Sequence, residues 1–129
     1  MPVEKPEFVD LDLTFPKSRR LTLSGEFRKV RENGAAQHSK LLVLSVLRPA
    51  PDSLLRIGLI TSKRVGSAVE RNKIRRRLRE IFRLHQHELA PDVWIVTIAR
   101  NAAVQASYQR LESDWLQLAR RASIVSAES

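Results

Sequence analysis

The chain has 129 residues, enough for one domain with a single modest core, and 43% of them are apolar and 29% charged. Its formal net charge of +9 points to a polyanionic partner: RNA, DNA or an anionic membrane surface. Cysteine is absent, which excludes disulfides, thiol catalysis and cysteine-ligated zinc and fits a reducing cytoplasm, the expected location. No apolar run approaches the ~20 residues of a membrane span, and the opening MPVEKPEFVD has no apolar core of a secretory signal.

Residues 1–6 read as a loose tail. Residues 8–15 (FVDLDLTF) largely alternate apolar and polar side chains, which predicts a short strand or an extended arm. Asp10 and Asp12 then share one face, where a wet surface is the plainer reading and a metal site the sharper one. Lys17, Arg19 and Arg20 follow as a small basic group. Ser24 is the expected N-cap of a helix over GEFRKVREN, with Glu26 in its first turn and Gly34 as a left-handed stop. Phe27 and Val30 fall on one side of it; Arg28, Lys29 and Arg31 make the rest basic. Phe27 has two readings, a core anchor or a half-exposed ring that stacks on a base of single-stranded RNA.

Residues 40–47 (KLLVLSVL) predict a largely buried strand. Residues 55–61 (LRIGLIT) predict a second, hairpin-paired with the first across the Pro49–Asp52 loop. Residues 63–83 (KRVGSAVERNKIRRRLREIFR) carry nine Lys or Arg against two Glu, most of the chain's excess charge. Ser67 and Glu70 form a capping box. Beyond it Ile74, Leu78, Ile81 and Phe82 recur at helical spacing, with His85 able to join them. At ~100° per residue, Lys73, Arg76, Arg79 and Arg83 project to the other side, flanked by Arg75. Many charged helix faces are merely solvated, but this one is nearly single-signed, and like charges three or four apart repel. Guanidinium groups also fork onto phosphate oxygens in a way ammonium groups cannot. Residues 92–99 (DVWIVTIA) predict a central strand, and the strand–basic helix–strand unit a parallel pair. Ser107 caps a last helix to about Ala122, with Leu111, Trp115, Leu118 and Ala119 on its apolar side. The tail SIVSAES reads as frayed. The elements add up to an α/β (α+β) sandwich, one central sheet of about four strands with three helices. His38, His85 and His87 belong to no catalytic triad or metal-ligand spacing.

The run KRVGSAVERNKIRRRLRE resembles the signature of the bacterial ribonuclease P protein component, S-K-K-x-G-x-A-V-x-R-N-x-I-K-R-x-x-R-E. Flanking residues agree: Arg20-Leu21, then Glu26, Phe27 and Val30, the strand R-I-G-L, and Ile98-Ala99-Arg100. The resemblance spans residues 20–122, taken as the RNA-binding domain between a tail at 1–19 and a tail at 123–129. It implies a fold similar to a domain of a ribosomal protein, with a left-handed β-α-β crossover where the general rule favours the right hand. It also implies the small subunit of a ribonucleoprotein endonuclease that removes the 5′ leader of precursor tRNA. The RNA subunit would carry the chemistry with Mg2+, and the protein would hold no metal and need no protein partner. Arg71, Asn72, Lys73, Arg75, Arg76 and Arg79 would face the RNA, extended by Lys63, Arg64 and Arg83. Arg19 and Arg20 would add phosphate contacts, with Lys17 beside them, and Phe27 and Arg31 would belong to the leader cleft. Arg31, Leu42 and Ser45 stand where the family often has further aromatics, and residues 3–16 lie outside the match. The competing reading is a non-catalytic RNA-binding module, such as a ribosomal protein or RNA chaperone. A DNA reader fits less well, because base readout mixes Asn and Gln into the exposed face.

Overall fold

A computed structural model of the chain describes residues 17–50 and 53–125; the arm at 8–15, with Asp10 and Asp12, lies outside them. The elements are α1 (Ser24–Asn33), β1 (Ala35–His38), β2 (Leu42–Leu47), β3 (Arg56–Ile60), α2 (Ala68–His85), β4 (Trp94–Ala99) and α3 (Tyr108–Arg121). The strands form one mixed sheet in the order β1-β2-β4-β3. β2 is antiparallel to β1 and β4, and β3 is parallel to β4 with α2 as the crossover.

The sheet departs from the sequence reading in two places. The expected β2–β3 hairpin does not form, because β4 lies between the two strands. β4 takes that central place because both its faces are apolar: Ile95 and Ala99 face one layer of helices and Val96 the other. The hairpin partner of β2 is instead β1, a short, largely exposed strand of sequence AAQH that its composition gives no reason to expect. Ser39 makes the turn, its Oγ accepting from the amides of Leu41 (3.2 Å) and Leu42 (3.0 Å). The outer edge of β3 is met by Arg20 and Leu21, and the Leu21 amide donates to the Ile57 carbonyl at 3.0 Å.

Period-two alternation along the strands divides the interior. On one face Leu42, Leu44, Val46, Ile57 and Ile95 pack beneath α2 and α3. Trp115 of α3 is fully buried there, against Phe82 (ring centroids 5.5 Å apart), and its Nε1 donates to Thr97 Oγ1 at 3.0 Å. On the other face Val30 of α1 joins Leu21 and Val96, flanked by Phe27, Ile60 and Trp94.

α2 follows its sequence closely. Ser67 Oγ accepts from the Glu70 amide (3.1 Å) while Glu70 Oε1 accepts from the Ser67 amide (2.8 Å), and Ile74, Leu78, Ile81 and Phe82 form its buried stripe. Gly66, at φ +58°, makes the entry turn in a conformation that disfavours side chains. α3 begins at Ser107, which caps the Arg110 amide as expected.

The caps of α1 differ from expectation. Leu23 occupies the N-cap and Ser24 the first turn, with Glu26 Oε1 reaching back to the Leu23 amide at 3.4 Å. Gly34 is extended (φ −89°) rather than left-handed. It must be glycine for space, since a Cβ would lie 2.4 Å from the Val46 carbonyl oxygen and 2.6 Å from that of Val30. The C-terminal segment differs too. Ser123 turns left-handed (φ +61°), and Ile124, read as part of a frayed tail, is fully buried, its carbonyl accepting from the Ala90 amide at 2.7 Å. Among the described residues, no helix is long and apolar enough to cross a membrane.

Candidate nucleic-acid interface

Burying Ile74, Leu78, Ile81 and Phe82 commits the opposite side of α2 to solvent. Lys73, Arg76 and Arg79 emerge there exposed, and none has a side-chain partner among the described residues. Arg75 is half-exposed and donates to Asn72 Oδ1 at 2.6 Å, so a guanidinium and an amide are presented as one unit. Arg83 pairs with Glu80 (2.5 Å); that bond holds the Glu80 carboxyl below the usual carboxylate range against the opposing effect of its burial. Arg20, brought in by its bridge to β3, completes a cleft of about 550 Å³ with Asn72, Arg75, Arg76, Arg79, Glu80 and Arg83.

That cleft runs into a second hollow of about 580 Å³ between α1 and β3, walled by Phe27, Arg28, Arg31, Leu59 and Thr61 and sharing Arg75 with the first. A smaller one of about 180 Å³ shares Arg20 and Arg79 with the cleft and Phe27 with the hollow. The three form a continuous groove with an apolar floor and an arginine rim. Phe27 is half-buried: it packs with the α1-side core, and its ring also walls the groove. Gly58 seats it, because a Cβ there would lie 2.5 Å from Phe27 Cε1.

Two features beside the groove were missed in the sequence. Arg56 Nη1 pairs with Glu26 at 2.6 Å and its Nη2 donates to the Arg20 carbonyl at 3.1 Å, which ties α1, β3 and the Arg20 segment together. Arg56 and Lys29 both lie over the Trp94 ring, at 5.5 and 5.8 Å from its centroid. The R-I-G-L strand motif contained the signal for Arg56, without its partner.

Not every expected residue joins the groove. Arg71 donates to the carbonyls of Gly66 (2.9 Å) and Lys63 (3.2 Å), so its guanidinium locks the entry loop on which Lys63 and Arg64 stand exposed. Arg19 donates to Gln86 Oε1 at 2.7 Å and lines a separate hollow with His87 and Leu89. The side chain of Lys17 lies outside the described set. Leu42 faces α2 and α3 at 0% exposure and cannot line the groove, since strand alternation gives the α1 side to Val43 and Ser45 instead. Ser45 is on that side but buried.

His85 has a structural setting. Its Nδ1 and Nε2 each lie 2.7 Å from a carboxylate, of Glu88 and Glu112, tying the end of α2 to α3. Burial of the ring opposes its charge, but the bonds to Glu112 and then Glu88 prevail and hold its pKa above the ordinary value. Among the described residues, no three His, Cys, Asp or Glu side chains come together to hold a metal ion.

A mixed sheet sandwiched between helices, with a one-sided guanidinium face beside an apolar groove, defines a small basic protein of the polyanion-binding class. The family model for ribonuclease P matches residues 15–123. The chain is 38% identical over 109 residues to the ribonuclease P protein component of Desulfovibrio desulfuricans, covering 82% of this chain and 84% of that one. It is 36% identical over 109 residues to that of Shouchella clausii, covering 84% and 89%. The fold is shared with the RNase P protein of Staphylococcus aureus (TM-score 0.78, 24% identity, 85% of this chain and all of that one). It is shared also with that of Thermotoga maritima (TM-score 0.71, 24% identity, 79% and 96%). The chain belongs to the ribonuclease P protein component family, and is accordingly a subunit of a tRNA-processing endoribonuclease whose partner is the ribonuclease P RNA.

Proposed function

We propose that this protein binds the RNA subunit through the outer face of α2 and seats the 5′ leader of precursor tRNA in the groove beside Phe27. The observation that carries this reading is the pair Arg76 and Arg79, exposed and without partners among the described residues, next to a groove with an aromatic wall. Guanidinium groups held apart from carboxylates suit phosphates, and a half-buried ring suits an unstacked base. Arg31 stands at the rim of the groove rather than a second aromatic, so charge does more of the holding than stacking.

In this reading cleavage belongs to the RNA subunit and its Mg2+. The carboxylate lining the arginine cleft, Glu80, is engaged by Arg83. The protein contributes binding, orientation of the leader and neutralisation of phosphate charge. The holoenzyme acts in the cytoplasm on precursor tRNA without a further protein partner.

The test is cleavage of precursor tRNA by the cognate ribonuclease P RNA at low magnesium, with and without the protein, mapping the new 5′ end. Stimulated cleavage at the mature 5′ end is expected. Tight RNA binding without stimulation would replace this reading with a non-catalytic RNA-binding module.

A further inference from the structure

A second basic site lies apart from the groove and shares no lining residue with it. Lys40, in the β1–β2 turn, and Arg110, in the first turn of α3, wall a depression of about 290 Å³ floored by Leu41, Ala102 and Ala106. Both are exposed, and neither side chain has a partner among the described residues. Three more guanidinium groups, none of which lines the depression, are fixed on backbone carbonyls. Arg121 donates to the His38 carbonyl (2.9 Å) and Arg100 to the Ser39 carbonyl (3.0 Å), two successive peptide groups ~3.8 Å apart along the chain. Arg77 reaches from α2 to the carbonyl of Ala106, on the floor of the depression. Carbonyl acceptors fix these cations without neutralising them. No carboxylate lines the depression, and the one engaged at the turn, Asp114, accepts from Ser39 Oγ.

Lys40 and Arg110, the two cations that wall the hollow, repel one another, and an anion placed between them relieves that cost. The lining also says which kind of anion. No aromatic ring is present, so the hollow offers no platform on which an unpaired base would stack, in contrast to the groove at Phe27. A shallow alanine and leucine floor with a cationic rim suits the sugar–phosphate backbone of a duplex, gripped without reading its sequence.

We propose that the Lys40–Arg110 depression is a second RNA contact, holding backbone phosphates of a helical segment of the RNA subunit. It rests on the function proposed above and extends it: α2 stands between two RNA segments, with Arg76 and Arg79 on one and Arg77 turned towards the other.

The experiment is equilibrium binding of the full chain to its cognate ribonuclease P RNA across a salt series, with hydroxyl-radical footprinting of each complex. Lys40→Ala with Arg110→Ala removes two cations that make no hydrogen bond or ion pair among the described residues, and circular dichroism verifies that the fold is kept. Each phosphate contact on a duplex adds about 0.9 to the slope of log affinity against log salt. The double variant should therefore lose close to 2 from the parent slope, and Lys40→Glu with Arg110→Glu should weaken binding further. One helical stretch of RNA should lose protection, different from the stretch lost in the milder Arg76→Ala with Arg79→Ala, whose complex still forms at low salt. An unchanged slope and footprint, with the parent binding normally, would overturn the second contact and leave the α2 face standing. Loss of the same stretch in both variants would overturn it as well, by showing one site rather than two. A parent that fails to bind the RNA at all would remove the proposed function and this extension with it.

Discussion

Gly58→Ala tests whether the groove depends on a missing methyl group. The new Cβ would stand 2.5 and 2.7 Å from two ring atoms of Phe27 and 3.0 Å from Leu21 Cβ, where ordinary contact begins near 3.4 Å. The ring must withdraw by about 1 Å, or α1 must lift. α1 resists lifting, because Val30 is fully buried and Glu26 is bonded to Arg56. Overfilling of this kind costs about 1–3 kcal/mol, whereas pushing one side chain off its rotamer costs about 0.5–1.5 kcal/mol. Phe27 is half-buried with open space beside it, so the cheaper response is for the ring to swing into the groove. The expected loss is ~1 kcal/mol in denaturant unfolding, together with weaker binding of leader-bearing precursor and little change for leaderless tRNA. In a Phe27→Leu background the stability cost should largely disappear, a coupling that a double-mutant cycle measures directly. Alanine at 58 that costs nothing, or costs the same with and without the ring, would show that Gly58 does not seat Phe27.

Arg76→Glu with Arg79→Glu should keep the far-ultraviolet spectrum and the melting transition yet abolish assembly with the RNA subunit; an unfolded variant would show that the face has been misplaced. Ser67→Ala removes the amide acceptor of the α2 capping box and should cost about 1 kcal/mol in thermal unfolding, with Glu70→Ala adding little to it because the two act as a unit. Ile124→Ala should cost about 2–5 kcal/mol as a core truncation, where a frayed tail would give no change. The pKa of His85 is raised in the folded protein, so its contribution to stability is complete below the unfolded value of about 6.5 and is lost as pH rises through the folded value. Melting temperature should accordingly fall from mildly acidic to mildly alkaline buffer, and Glu112→Gln should flatten that dependence.

The parts of this molecule that could be read from its sequence are those whose causes are local. The Ser67–Glu70 box, the stripe at Ile74, Leu78, Ile81 and Phe82 and the Ser107 cap are each complete within a few residues, and all three stand in the structure. Strand pairing was not local. β2 and β3 are two apolar runs joined by a turn-like loop, and nothing in either run says that residues 94–99 will come between them. The side of Leu42 was lost for a related reason, since one residue of register moves every side chain to the opposite face. Among the arginines, residue type could not say which would meet solvent. Arg19, Arg71, Arg77, Arg100 and Arg121 each found a side-chain amide or a backbone carbonyl left open by the tertiary fold, while Arg76 and Arg79 found none among the described residues. The family resemblance singled out the segment, and only the fold sorted its members into exposed and engaged side chains.

The placing of β4 between β2 and β3 also sets an order of events for the nascent chain. β2 has β1 already made and can close its hairpin at once. β3 has no strand to pair with until residues 94–99 have been synthesised, and α2 is complete before them. High contact order of this kind slows folding. Here it means that the wall formed by β3 and the helix it precedes become fixed only when the last strand arrives. A chain stopped short of that strand would carry the charge of α2 without a groove beside it, able to attract a polyanion but with nowhere to lodge a single strand.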